Sequence, residues 1–331
     1  MHTALPLWFE IGSLVVLLLI LAGDLLLVVK RPHIPSMRES SLWVGFYVAL
    51  ALIFALLMFV MGDPNQGSEF VAGWLTEYSL SIDNLFVFVI VMGRFAVPRT
   101  YQQEVLMVGI VIALILRGVF ILAGAGLIAS FSWIFYLFGA FLLYTAVKQA
   151  LEGDDDGDSE DNLLIRLLRK RIRISPSFDG SKIRTTIDGR KYFTPMLIVF
   201  LAIGSTDVLF ALDSIPAIFG ITQSPFIVFT ANIFALMGLR QLYFMLGGLL
   251  DRLAYLKYGI AVILAFIGVK LVFHAMHDNE LPFINGGHGI EWAPEITTGM
   301  SLIVIIAAMA VSTLASLIKM RIDGRRGANQ G

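Results

Sequence analysis

Crossing the hydrocarbon of a bilayer as a helix takes about 20 consecutive, mostly apolar residues, and this sequence supplies such a stretch nine times. The runs cover 8–29, 42–61, 70–93, 103–127, 131–150, 194–220, 225–247, 255–276 and 297–319. The expected fold is therefore all-α, a polytopic helical membrane protein with nine transmembrane helices. Composition excludes the soluble alternative: 57% of the 331 residues are hydrophobic and 15% charged, against about a quarter charged in a soluble domain. The first run does not read as a signal peptide. It lacks a basic leader, it is too long, and Lys30 and Arg31 follow it instead of preceding it.

Lys and Arg set the expected orientation. They are missing from the first seven residues and from the connections near 62–69, 128–130, 221–224 and 277–296. The alternate connections hold Lys30, Arg31 and Arg38, then Arg94 and Arg99, then nine basic residues from Arg166 to Lys191, then Arg252 and Lys257. The tail adds Lys319, Arg321, Arg325 and Arg326. This alternation predicts the N-terminus outside and the C-terminus inside.

Four acids interrupt the apolar runs. Glu77 and Asp83 lie six positions apart in the third, and Asp207 and Asp213 six apart in the sixth. A carboxylate within hydrocarbon is costly enough to mark a functional site by default. The two settings match, and the match extends further. Leu-Ile-Leu-Arg117-Gly-Val-Phe-Ile-Leu resembles Met-Gly-Leu-Arg240-Gln-Leu-Tyr-Phe-Met, and the Phe138–Lys148 stretch resembles Ile260–Lys270 at its end. Each copy holds three spans, so the two copies enter the membrane in opposite directions. Inverted repeats of this kind place a binding site at the midplane between the halves. The chain then divides into two N-terminal helices (1–62), a first three-helix repeat (70–150), a loop (151–193), a second repeat (194–276), an outer loop (277–296) and a last helix with its tail (297–331).

On a straight helix six residues turn the side chain by about 120° and advance it about 9 Å. The paired acids therefore share one ion only if the helix breaks, and Pro216, which removes the N–H that would meet the Leu212 carbonyl, is the expected break. Asp83 and Asp213 are predicted to face each other across the repeat interface, with Glu77 and Asp207 as a second layer or as partners of buried arginines. Asn84, Asn232, Ser214, Ser81 and Thr206 offer neutral oxygens, and Asp24 near the inner end of the first span is a further candidate. Oxygen donors without sulfur suit manganese, magnesium or calcium. The chain has no cysteine, which removes disulfides, thiolate metal sites and thiol redox chemistry. The competing reading is structural, with the four acids paired to Arg117 and Arg240.

The remaining features are weaker. The 151–193 loop opens with an acidic run from Glu152 to Asp161 and a basic run from Arg166 to Arg173, a solvated pattern with an amphipathic helix expected near 163–173. Asp188-Gly189 predicts a hairpin turn. His274 and His277, at the outer end of the eighth run, are followed by Asp278 and Glu280, with His288 and Glu291 in the same outer connection, a set that reads either as a peripheral metal-capture site or as an ordinary polar, Gly-rich loop. A net charge of −1 gives no field for nucleic acid. No nucleophile–base set, phosphate loop or cofactor motif is present, so neither an enzyme nor a tightly bound cofactor is expected.

Ile82-Asp83-Asn84-Leu-Phe with Glu77 before it, Asp207-Val-Leu-Phe-Ala-Leu-Asp-Ser-Ile-Pro-Ala-Ile-Phe219, Gly238-Leu-Arg240-Gln-Leu-Tyr-Phe244 and the Lys257–Lys270 stretch resemble the TerC family of integral membrane proteins, over the first span to the ninth. The resemblance implies manganese export from the cytoplasm by a relative of the lysine exporters, in a bacterial plasma membrane, in some members tied to metal loading of secreted enzymes and so to secretion-machinery partners. It carries the functional acids onto Glu77, Asp83, Asp207 and Asp213. Gly204 stands where many members have Glu. Two other readings belong with this family and superfamily: a tellurium-resistance scaffold acting through partner proteins, and an exporter of another ion or small solute.

Overall fold

The computed structural model describes residues 5–30, 35–131, 133–151, 174–187, 189–246, 255–290 and 292–328. The acidic and basic runs, the amphipathic helix expected near 163–173, and Glu291 lie outside the described residues. Nine helices of 18 residues or more stand among those described: α1 (Leu7–Lys30), α2 (Met37–Met61), α3 (Pro64–Arg94), α4 (Arg99–Ser130), α5 (Ile134–Leu151), α6 (Pro195–Phe219), α7 (Pro225–Leu246), α8 (Leu256–His277) and α9 (Thr298–Ala328). Eight of them are long and apolar enough to cross a membrane. The chain is a multi-pass membrane protein.

Helix ends follow local chemistry. Asp63 caps α3, accepting from the Asn65 N–H at 3.0 Å, while Gln66 Oε1 accepts from the Asp63 N–H at 3.3 Å. Pro64 occupies the first turn, where its missing N–H costs nothing. This box starts α3 six residues before the apolar run. Pro195 likewise occupies the first turn of α6, there without a side-chain cap. Between α5 and α6, the strands β1 (Arg184–Ile187) and β2 (Arg190–Phe193) pair antiparallel with Ile187 opposite Arg190. Gly189 takes φ +76° in the turn, a backbone conformation that favours glycine. The hairpin is tied to α6, since the Thr194 N–H donates to the Ile183 carbonyl at 2.9 Å.

The helix α7 is the hub. Its apolar stretch is 94% buried, against 22% for those of α1 and α9. The outer helices instead present Leu7, Ile11, Val15 and Leu19, or Ile303, Ile306 and Leu314, to their surroundings, as lipid-facing helices do. Around α7, α3 packs closely on it, and α6 packs on α4. Further contacts join α4 to α7, α3 to α6, and α5 to α8. Phe54, Phe70 and Phe234 interlock α2, α3 and α7 with ring centroids 4.8–5.5 Å apart. The α5–α8 crossing is closest at Gly139 and Gly268, where a methyl on Gly139 would lie 2.8 Å from the Gly268 carbonyl.

Candidate functional site

Four helices each give one polar side chain to a single buried point. Glu77 of α3 is fully enclosed, and Arg117 of α4 is 1% exposed. The Arg117 Nη1 pairs with Glu77 Oε1 and donates to Asn232 Oδ1 on α7 at 2.8 Å. Its Nη2 donates to Asp207 Oδ1 on α6 at 3.3 Å. Asn232 is held in turn by its own amide, which donates to the Val228 carbonyl at 3.2 Å and leaves the oxygen for the guanidinium. On α3, Thr76 and Ser79 donate to carbonyls of the preceding turn, so their hydroxyls are satisfied locally. Ser81 donates to Glu77 Oε1 at 3.4 Å.

As ionised groups, two carboxylates face one guanidinium here. Glu77 Oε2 and Asp207 Oδ2 are both enclosed and have no hydrogen-bond partner among the described residues. Buried charged oxygens are costly to leave unmatched. The cluster therefore has more acceptor capacity than Arg117 and Ser81 take up.

Asp213 goes elsewhere. It is partly exposed and accepts from Thr145 Oγ1 on α5 at 3.1 Å. Asp207 and Asp213 thus face different neighbours, as the six-residue spacing requires of an unbroken helix. Unbroken it is: α6 runs through Pro216 to Phe219, and the break expected there does not occur. Pro216 falls in the last turn and costs one bond, while Ile215, Pro216, Ala217, Ile218 and Phe219 are all buried and hold that turn in place. Ser214 is buried beside Asp213, with no hydrogen-bond partner for its hydroxyl among the described residues. The side chains of Asp83 and Asn84 lie outside the described residues. Among those described, no group of three or more His, Asp or Glu stands together as a metal-holding cluster.

Arg240 has a different role from Arg117 despite their similar surroundings in sequence. Its Nη2 donates to Asp24 Oδ1 at 2.8 Å, and both residues are under a tenth exposed. This pair locks α1 to α7.

A family model, described as the integral membrane protein TerC family, matches residues 62–321. The chain belongs to the TerC family. Among curated relatives, an uncharacterized membrane protein of Mycobacterium tuberculosis strain H37Rv, Rv2723, is 45% identical over 302 residues, covering 90% of this chain and 76% of its own. STKORF319, an uncharacterized membrane protein of Myxococcus xanthus, is 40% identical over 310 residues, 94% of this chain and 92% of its own. Alx of Escherichia coli K12, whose name proposes a membrane-bound redox modulator, is 41% identical over 271 residues, 79% of this chain and 84% of its own. No solved structure matches the chain.

In this TerC-family chain a second polar region opens at the ends of α6 and α8. A cleft of about 520 Å³ is lined by Glu69, Thr222, Gln223, Lys270 and His274 among others. Thr222 donates to Glu69 Oε2 at 2.6 Å, and Lys270 donates to Ser301 at 3.2 Å. His274 and His277, at the end of α8, line one cleft of about 250 Å³ together with Asp278 and Glu295. His274 stands 3.6 Å from Asp278 and His277 3.6 Å from Glu295. Sequence reasoning passed over Glu69, Thr145 and Thr222. Glu69 sits two turns before Glu77, a helical spacing that could have flagged it.

Proposed function

We propose that this TerC-family protein exports a divalent metal cation, manganese in the first place, across a bacterial plasma membrane. The observation that carries the reading is the meeting of Glu77 and Asp207, from two different helices, inside an apolar helical core. Carboxylates are placed in such surroundings at a cost that transport of a cation explains. Calcium and magnesium share the oxygen chemistry and belong in the same assay.

In this reading the protein has nine spans with its N-terminus outside, and the helix packing is consistent with two inverted repeats. If α3–α5 and α6–α8 are copies, α3 on α7 is the counterpart of α6 on α4, and α5 on α6 that of α8 on α3. The contacts of α3 with α6, α4 with α7 and α5 with α8 each map onto themselves. Glu77 and Asp207 occupy equivalent places in such an arrangement. Asp83 and Asp213, one and two-thirds turns further along, are the proposed ligands of the ion on its way through, with the Leu212 carbonyl released by Pro216 beside Asp213. A redox role acting through thiols has no residue to use, since the chain lacks cysteine.

The test is total cellular manganese, calcium and magnesium in cells that express the wild type, Asp83→Asn or Asp213→Asn. Asn keeps the size and one oxygen but removes the charge. Lower manganese with the wild type and loss of that effect in both variants is the expected result. Equal efflux from all three would remove these acids from the path.

A further inference from the structure

Resting on that reading, we propose that Arg117 is a tethered competitor of the transported ion: it holds Glu77 and Asp207 until a divalent cation takes them, and thereby sets the selectivity for divalent over monovalent cations. Three observations lead there. The guanidinium pairs with one oxygen of each acid, and the other two, Glu77 Oε2 and Asp207 Oδ2, are enclosed without a hydrogen-bond partner among the described residues. The donor set is thus larger than the group occupying it.

Charge gives the second argument. Two carboxylates with Arg117 sum to −1, and the same carboxylates with a divalent ion sum to zero. Both cations together reach +1 and repel each other in a medium of low dielectric, where such repulsion is strong. Exchange of one for the other is therefore the balanced outcome. A sodium or potassium ion brings no more charge than the guanidinium and lacks its tether. The attached group acts at a high effective concentration, so a free monovalent ion loses the competition.

The third is Asn232. Its neutral oxygen accepts from the same Nη1 at 2.8 Å and belongs to a helix that carries neither acid. It already holds the guanidinium while the acids are bound, and as a neutral acceptor it keeps that hydrogen bond once they are released. Its amide is fixed by the Val228 carbonyl, so the acceptor does not move with the ion.

An ion that binds only when Arg117 has let go sees its apparent affinity reduced by the fraction of time the acids are available. If that fraction is about one-tenth, Arg117→Gln tightens manganese binding about tenfold. The experiment uses the purified full chain, with manganese binding followed by electron paramagnetic resonance, its competition by sodium, and efflux from proteoliposomes. Arg117→Gln is expected to bind manganese more tightly, to become sensitive to sodium, and to turn over more slowly because nothing displaces the ion. Asn232→Ala should do the reverse for affinity, weakening manganese binding at unchanged thermal stability, because the guanidinium released from the acids loses the hydrogen bond that would hold it. Damage to the fold would not produce shifts of opposite sign. Unchanged or weaker binding in a folded Arg117→Gln overturns the proposal. If that variant does not fold, unchanged or tighter binding in Asn232→Ala overturns it. A wild type that neither binds nor moves manganese overturns the export reading as well, whereas a wild type that transports while the variants behave alike overturns only the role of Arg117.

Discussion

Deleting one member of the Asp24–Arg240 pair should destabilise the protein far more than deleting both. The oxygen and nitrogen are 2.8 Å apart, and the side chains are 9% and 7% exposed. At an effective dielectric constant near 20 the attraction is about 6 kcal/mol. Removing each ion from water costs several kcal/mol, so the assembled pair is worth little net. Removing one charge cancels the attraction but leaves the other ion buried at a cost of about 3–5 kcal/mol. We therefore expect Asp24→Ala and Arg240→Met each to lose about 3–5 kcal/mol, and the double variant to lie within about 2 kcal/mol of the wild type, the remainder being the smaller side chain at position 24. Equilibrium unfolding of the detergent-solubilised protein, run as a double-mutant cycle, reads the coupling. Single losses that simply add in the double variant would refute the reasoning and show that the two groups are solvated independently.

At the α5–α8 crossing, Gly139→Ala places a methyl 2.8 Å from the Gly268 carbonyl and 3.1 Å from the Val272 nitrogen. Backbone atoms cannot rotate away, so we expect a loss of about 1–3 kcal/mol, measured as a lower melting temperature. Gly126→Ala on α4 is the control. Nothing lies within 4 Å of its added methyl, and it should be neutral or stabilising by up to about 1 kcal/mol. Pro216→Ala restores the N–H that meets the Leu212 carbonyl. Thermal stability should hold or rise while manganese efflux falls several-fold, and unchanged efflux would take that carbonyl out of the ion's path.

The helices were legible because a run of about 20 apolar residues has few alternatives, and the hairpin with Gly189 in its turn because its chemistry is local. Boundaries were less so. Hydropathy begins the third helix at residue 70, while α3 starts at Pro64, since a capping box is polar and invisible to a search for apolar runs. Partner choice was the least accessible. Arg117 and Arg240 sit in similar sequences, yet Arg117 meets α3, α6 and α7 while Arg240 meets Asp24 on α1. Periodicity fixes the face on which a side chain stands, but the helix opposite that face is decided by packing across the whole chain. Asn232 illustrates the limit: its oxygen suits an ion by type, and here Arg117 takes it. Pro216 marks a place where a backbone bond is missing, and the buried residues around it keep the helix continuous through the gap.

The short ribbon ahead of α6 has a mechanical consequence. The Ser175 N–H donates to the Phe193 carbonyl at 2.7 Å, and Thr194 links the ribbon to the first turn of the helix that bears Asp207 and Asp213. With no slack residue between them, ribbon and helix are expected to move as one piece, so a displacement of the ribbon would shift the helix that carries both carboxylates.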